Sequence, residues 1–511
     1  MNSVILLIID GLGVGKRTQA NPFLQVSTPT FDWLKSNFSY RALQASGIAV
    51  GLPWGDPGSS EVGHLTIGAG CAVYQNYPRI TMAIRDGSFF DNPALVQACS
   101  YAKTKASRLH LIGLFSQSRT HASLDHFEAL LKLAKQTGVV TVLVHAITDG
   151  KESMPQQAKI LLEDAQRIMS RVGVGEFASI AGRYYAMDGN EYWDRTERYL
   201  NMLLQGERTC ETYGAALDKA YSRKLTDEFI DPSLIAISGQ TKRVIQENDA
   251  VVLWNFREDG LRQVALGLSP DPSSALPIAI TMPPNVRMVT MIQYDSGVAA
   301  PVAFTPPVIN NTLSEILSKN NKRQLKLAES LKGQLVTYYF NGLRQEAFKN
   351  EYQIIIPSDK LFDFAKEYQL KTETLLDRFF SALDERIYDF ICLNIANLDV
   401  AGHQPNMALA QQSIQYVDGV LNRICRQTLA AGASLIITSD HGNIEQMFDP
   451  VTGQSNTRHT DSPVPLWIVD KNEYRARTSQ EIDQAEKEVS GSLADVKSMI
   501  LDKMGIDQEK R

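Results

Sequence analysis

The stretch Asp56-Pro57-Gly58-Ser59-Ser60-Glu61-Val62-Gly63-His64 sets two hydroxyls behind a Pro-Gly break and follows them with a carboxylate and an imidazole. A serine leaving such a turn at the start of a helix faces the positive end of the helix dipole, where phosphate oxyanions bind. Taken alone, the pattern reads more commonly as a capped helix, with serine at the N-cap and Glu61 just behind it. Ser60 becomes a candidate nucleophile only if the rest of the chain supplies the groups that would activate it.

Three clusters near the C-terminus supply such groups. In the stretch 394–403 an apolar strand runs out into Asp399-x-x-x-His403, a spacing that turns both side chains toward one ion. A second apolar strand ends in Thr438-Ser439-Asp440-His441, and His459 stands just ahead of Pro463-Val464-Pro465 and another strand. Asp10 closes the aliphatic run Val4–Ile9, at the carboxyl end of a strand, where open α/β sheets place their ligands. The chain has only 8 histidines, and three of them lie in these clusters. A lone Asp-His pair is usually structural. Together, Asp10, Ser60, Asp399, His403, Asp440, His441 and His459 offer oxygen and nitrogen ligands for two ions. Such a mixture suits Mn2+, with Zn2+ or Mg2+ as alternatives. Two divalent ions would lower the Ser60 hydroxyl pKa and clamp a phosphoryl group for in-line attack.

The elements that must position these residues follow from the rest of the sequence. A chain of 511 residues exceeds one hydrophobic core, so two domains, or one large domain carrying an insertion, are expected. A net charge of −6 argues against a broad nucleic-acid footprint, and no apolar run is long enough to cross a membrane. Five scattered cysteines without a Cys-x-x-Cys pair fit a reducing compartment, the cytoplasm by default. Gly11, Gly13 and Gly15 do not make a dinucleotide-binding fingerprint. Aliphatic runs predict strands at 4–9, 109–114, 139–144, 251–254, 288–292, 335–340, 353–356, 390–395, 434–438 and 466–469. Helical spacing predicts helices at 124–136 and 155–172, and a long one through Ile414, Val417, Leu421 and Cys425. The stretch 301–307 has the composition of a return linker. The expectation is an α/β fold in which one domain, 1–76 and 308–511, is split by a second α/β domain, 77–307.

In this order and context, Asp10, Ser60-Glu61-Val62-Gly63-His64, Asp399…His403, Asp440-His441-Gly442-Asn443 and His459 resemble the cofactor-independent phosphoglycerate mutases. These are di-manganese members of the alkaline phosphatase superfamily. The likeness extends to Tyr74-Gln75, Gly182-Arg183-Tyr184-Tyr185-Ala186-Met187-Asp188, Trp193-Asp194-Arg195, Asn255-Phe256-Arg257 and Ala328-Glu329. It implies an alkaline-phosphatase-like metal domain carrying an inserted substrate-binding domain. It implies that Asp399, His403 and His459 hold one metal, and that Asp10, Ser60, Asp440 and His441 hold the other. Ser60 would take the phosphoryl group as a phosphoserine, with Lys332 neutralising its charge. The inserted domain would keep the dephosphorylated acid through His121, Arg183 and Arg257, shielded from water. The implied activity is an intramolecular phosphotransfer between 3-phosphoglycerate and 2-phosphoglycerate, in glycolysis and gluconeogenesis. The implied protein is a cytoplasmic monomer acting on a small phosphorylated acid, with no nucleic-acid or membrane partner.

The chain departs from the family in the substrate pocket. The family's Asp-Gly-Arg-Asp stands here as Asp149-Gly150-Lys151-Glu152, and Gly189 and Gly260 occupy positions where the family has arginine. Lys151 keeps a charge but lacks a bidentate fork, and Glu152 keeps a carboxylate for proton transfer, displaced by a methylene. Each lost charged hydrogen bond would cost about 1.5–3 kcal/mol. Either other cations fill the gaps, with Arg119 and Arg262 the candidates, or the substrate differs. The alternative function is therefore a related phosphomutase or phosphatase acting on another small phosphate ester. A metal- or phosphate-binding protein without turnover is a third reading, and a nucleophile at Ser60 argues against it.

Overall fold

A computed structural model describes residues 3–206, 208–236, 243–269, 276–359, 368–449 and 451–507. The chain divides into two compact units, Met1–Gln75 with Pro307–Arg511, and Asn76–Pro306. Both are α/β, and no helix among the described residues is long and apolar enough to cross a membrane.

The first unit is built on an eight-stranded mixed sheet. Its order is Glu351–Ile356, Gln324–Glu329, Phe390–Ile395, Val4–Ile9, Ser434–Thr438, Val464–Val469, Ser39–Gln44 and Val489–Ser492. The first five strands are parallel, and Val464–Val469 runs antiparallel to both of its neighbours. Val4–Ile9 lies at the middle because its unbroken aliphatic run feeds both faces of the sheet. Ile5, Leu7 and Ile9 pack with Ile414, Val417 and Leu421 of the helix Met407–Ala431. Val4, Leu6 and Ile8 pack with Val62 and Ile67 of the helix Ser60–Ala69 and with Val496 and Ile500. The register pairs Ile9 with Ile395 and Ile8 with Thr438, so these strands end at one level. Asp10, the turn to Asp399, and Ser439-Asp440-His441 therefore leave the same edge.

The second unit carries another eight-stranded sheet, in the order Val302–Phe304, Arg287–Ile292, Ala250–Leu253, Arg108–Phe115, Thr141–Thr148, Glu176–Gly182, Ser233–Ile235 and Thr209–Cys210. Its six leading strands are parallel, and Ser233–Ile235 reverses direction against Glu176–Gly182. The segments leaving the carboxyl ends of four adjacent strands carry His121, Asp149, Arg183 and Arg257.

Several expected elements are different. Residues 335–340 do not form a strand; Leu335–Tyr339 is a π-helical turn that buries Leu335 and Val336 and packs against the helix Ser60–Ala69. Tertiary packing here overrides the β propensity of the Val-Thr-Tyr-Tyr run. The neighbouring sheet position is taken by Gln324–Glu329, whose aliphatic pattern is broken by Lys326, itself fully buried beneath the Phe340 ring. The stretch 301–307 is more than a linker, since Val302–Phe304 pairs with Arg287–Ile292 as an edge strand. The helix expected over 155–172 begins later, at Ala158.

Candidate active site

Ser60 occupies the first helical position of Ser60–Ala69, preceded by Ser59 in extended conformation. The side-chain cap is not formed: the Ser59 hydroxyl donates to Glu61 Oε2 at 2.6 Å. The Ser60 Oγ lies 2.7 Å from His441 Nε2 and 3.5 Å from Lys332 Nζ. Two glycines let this helix approach its neighbours. A Cβ at Gly63 would stand 2.3 Å from the Asp440 carbonyl oxygen, and one at Gly68 2.0 Å from that of Phe340.

Around Ser60, strand ends converge. Lys332 Nζ donates to Asp10 Oδ1 and to Asp399 Oδ2, both at 2.7 Å. Asp399 and His403 share one helical turn, with His403 Nε2 3.3 Å from Asp399 Oδ1. His459 Nε2 stands 3.5 Å from the same oxygen. His441 Nε2 is 3.4 Å from Asp440 Oδ2 and 3.6 Å from Asp10 Oδ1. All seven metal-ligand candidates and Lys332 thus belong to one cluster within the first unit.

The donor chemistry fits divalent cations. His403 Nδ1–H donates to the Thr457 carbonyl at 2.8 Å, and His459 Nδ1–H donates to that of Gly58 at 2.9 Å. Each tautomer leaves a bare Nε2 lone pair, and the two Nε2 atoms face each other 3.3 Å apart beside Asp399. His441 Nδ1 is similarly turned to the Gly442 carbonyl at 3.2 Å. Asp440 Oδ2 is buried without a well-formed hydrogen bond. Donor atoms of Asp399, His403 and His459 lie within 4.8 Å of one another, as do those of Asp10, Asp399 and His441.

Electrostatics points the same way. Asp10, Asp399 and Asp440 are buried together around one ammonium. Burial and the Asp440 carboxylate raise the Asp10 pKa. Burial acts against the charged Lys332, yet Asp10 and Asp399 hold its ammonium above the ordinary lysine value. A pocket this rich in buried anionic oxygen favours added positive charge.

His64 and Asn394 complete the cluster. His64 Nδ1–H donates to the Ser60 carbonyl at 2.9 Å, while Nε2 accepts from Asn394 Nδ2 at 3.0 Å. Asn394 Nδ2 also donates to Asp10 Oδ2 at 2.9 Å. Both His64 nitrogens are engaged, so it orients Ser60 and Asp10 and leaves no lone pair free for an ion. The sequence shows His64 inside the motif 60–64 and Asn394 at the head of the stretch 394–403, with no role assigned to either. Their signals were a histidine one helical turn after Ser60 and an asparagine inside an otherwise apolar strand.

In the second unit, His121, Lys151, Glu152, Arg183 and Arg257 line one cavity of about 410 Å3. His121 Nε2 lies 3.0 Å from Glu152 Oε1, and Arg183 NH1 donates to Asp149 Oδ1 at 2.6 Å. Burial lowers the His121 pKa against the pull of Glu152 and Asp259. Gly189 and Gly260 lie in the cavity wall. Neither expected replacement cation does. Arg262 is bound to Asp295 at 2.6 Å with Glu191 at 3.6 Å, and Arg119 lies 5.7 Å from the Tyr77 ring centroid. Arg195, which the sequence marked only as part of a motif, lines the cavity instead.

Comparison with known proteins accounts for both units. The family profile described as "BPG-independent PGAM N-terminus" matches residues 80–296. A 2,3-bisphosphoglycerate-independent phosphoglycerate mutase of Clostridium botulinum (Type A) is 37% identical over 98% of this chain and 96% of its own length. The protein of that name from Moorella thermoacetica is 38% identical over 99% of this chain and 96% of its own. Among solved structures, a Leishmania mexicana phosphoglycerate mutase at low cobalt concentration matches with a TM-score of 0.59 and 25% identity, over 100% of this chain and 96% of that one. Likeness of this extent runs through both segments of the divided unit and the unit between them, and the chain belongs to the family of 2,3-bisphosphoglycerate-independent phosphoglycerate mutases.

Proposed function

We propose that this protein interconverts 3-phosphoglycerate and 2-phosphoglycerate through a phosphoserine at Ser60. The observation that carries this reading is the Ser60 hydroxyl, 2.7 Å from His441 Nε2 at a helix N-terminus and surrounded by buried carboxylates and Lys332. Asp399, His403 and His459 would hold one divalent ion, and Asp10, Ser60, Asp440 and His441 the other. Mn2+ is the favoured occupant on ligand type, with Zn2+ and Mg2+ behind it. Bound there, the ions supply Lewis-acid charge that acidifies a hydroxyl and offsets phosphoryl charge.

The chain's own groups account for the rest. Ser60 Oγ, its proton already lost to solvent, forms a bond to phosphorus as the bond from phosphorus to the substrate's ester oxygen breaks, and that oxygen takes a proton from Glu152. Lys332 and the helix N-terminus offset the charge on the phosphoryl oxygens. His121, Lys151, Arg183 and Arg257 hold the glycerate, and Glu152 moves the proton between its two hydroxyls. The return step reverses the bonds: the other glycerate oxygen attacks phosphorus and the bond to Ser60 Oγ breaks. The protein acts as a cytoplasmic monomer on a small phosphorylated acid.

The test supplies Mn2+-loaded protein with 3-phosphoglycerate and follows 2-phosphoglycerate and free phosphate separately. Steady formation of 2-phosphoglycerate with little phosphate is expected. Phosphate release without 2-phosphoglycerate sinks the mutase reading, and turnover by Ser60→Ala sinks the phosphoserine.

A further inference from the structure

The cavity in the second unit has four cations on its wall, and they are not equivalent. Arg183 is committed to Asp149 at 2.6 Å and reaches Glu152 at 3.3 Å. Arg257 donates to Asp259 at 2.9 Å from a side chain that is 52% exposed. Lys151 is exposed and has no ion pair among the described residues. Arg195 is held differently. Its guanidinium carbon lies 4.0 Å from the Tyr184 ring centroid and 4.2 Å from that of Tyr192. Two aromatic rings therefore fix the plane of the group before any ligand arrives.

One edge of that plane is anchored by Arg195 NH1 donating to Asp188 Oδ2 at 2.8 Å. Asp188 is itself immobilised, because its Oδ1 accepts from Asn190 N, Tyr192 N and Gln263 Nε2. A guanidinium has five N–H donors, and Arg195 engages one of them among the described residues. The same cavity wall includes Gly189 and Gly260, but a Cβ at Gly260 would collide with Met187 Cε, so the open position is Gly189. A Cβ at Gly189 would meet nothing closer than the Asp259 carbonyl oxygen at 3.7 Å. The space next to a pre-oriented fork of donors is open.

We propose that Arg195 is a substrate-binding residue that takes the carboxylate of the glycerate moiety through paired N–H···O bonds, in the space left by the glycine at 189. This rests on the mutase reading above. A planar guanidinium matches a carboxylate bidentately, and a group already ordered loses little entropy on binding. Lys151 is a point charge on a flexible stem and gives no such geometry.

The test measures binding to the full chain in a Ser60→Ala background with Mn2+, using 3-phosphoglycerate and the carboxylate-free glycerol 3-phosphate as probes. Arg195→Met and Arg195→Lys are compared with the parent; the lysine keeps a cation against Asp188 and controls for folding. Affinity for 3-phosphoglycerate is expected to fall about 10- to 100-fold in both variants. Affinity for glycerol 3-phosphate should change less than about 3-fold, since no bond to it is lost. In the chain with Ser60 intact, the loss should enter KM more than kcat. Equal losses for the two probes, or none for 3-phosphoglycerate, overturn the assignment of Arg195. Absence of mutase turnover in the unaltered protein removes the reading beneath it, and the two failures are told apart by that control.

Discussion

The Oγ of Ser60 and the Nε2 of His441 stand 2.7 Å apart, with Lys332 Nζ 3.5 Å from the same oxygen. A hydroxyl so placed is the atom on which transfer depends, so Ser60→Ala is expected to lower kcat by at least about 1,000-fold. Formation of 2-phosphoglycerate checks the rate. Mass spectrometry of acid-quenched protein checks for a phosphoryl group on the peptide containing Ser60.

Lys332 lies between Asp10 and Asp399, 2.7 Å from each. Lys332→Met leaves three buried carboxylates without their ammonium, and breaking a buried pair costs about 3–5 kcal/mol. Denaturant unfolding in EDTA should show that loss. Added Mn2+ should recover much of it, because cations bound by the native state alone restore stability.

Asn394 Nδ2 bridges Asp10 Oδ2 and His64 Nε2. Asn394→Ala frees both partners, and removing such a support lowers metal affinity roughly 10- to 100-fold. Calorimetric titration of metal-free protein with Mn2+ reads this directly. Unchanged affinity would mean that packing alone fixes Asp10.

Gly68 lets the helix bearing Ser60 lie against the π-helical turn after Lys332, where a Cβ would be 2.0 Å from the Phe340 oxygen. Gly68→Ala is expected to destabilise the first unit by about 1–3 kcal/mol through overpacking. Turnover should fall with it, because the displaced helix carries Ser60.

His126 is buried between the Tyr77 and Phe256 rings, and burial holds its pKa down to about 3. A folded-state value below the ordinary one near 6.5 means that the unfolded chain binds the proton first as pH falls. Its contribution is whole above about pH 6.5 and declines toward the folded value, by about 2 kcal/mol at pH 5. Burial lowers His110 and His145 as well. The raised pKa values of His64, His403 and His459 act in the opposite sense, so the measurement is the difference: the stability of the protein relative to His126→Gln should fall between pH 7.5 and 5.

Much of the first unit's site was legible because several ligand candidates stand close to the ends of aliphatic strands: Asp10 directly follows Val4–Ile9, and Asp440-His441 come one residue after Ser434–Thr438. Such runs read as buried strands, and polar residues at their ends stand out. Gln324–Glu329 was hidden by Lys326, whose burial depends on two aromatic rings distant in sequence. Residues 335–340 misled in the opposite sense, since a β-branched and aromatic run gives no sign of the glycine-bearing helix it must accommodate. Glu176–Gly182 was overlooked because its alanines, serine and glycine give a weak periodic signal. Arg119 and Arg262 were sought as pocket cations by nearness in sequence. Arg195 reaches the cavity through the folding back of the segment after Asp188, which spacing does not encode.

The divided first unit bears on biosynthesis. Ser60 leaves the ribosome 381 residues ahead of His441. At about 5–20 residues per second, that interval is on the order of 20–80 s. Strand Val4–Ile9 has neither of its sheet neighbours, Phe390–Ile395 and Ser434–Thr438, during that time. The continuous segment Asn76–Pro306 can fold meanwhile, whereas the nascent N-terminal strand stays exposed until the C-terminal half emerges. Chaperone dependence should accordingly be concentrated in the first 75 residues.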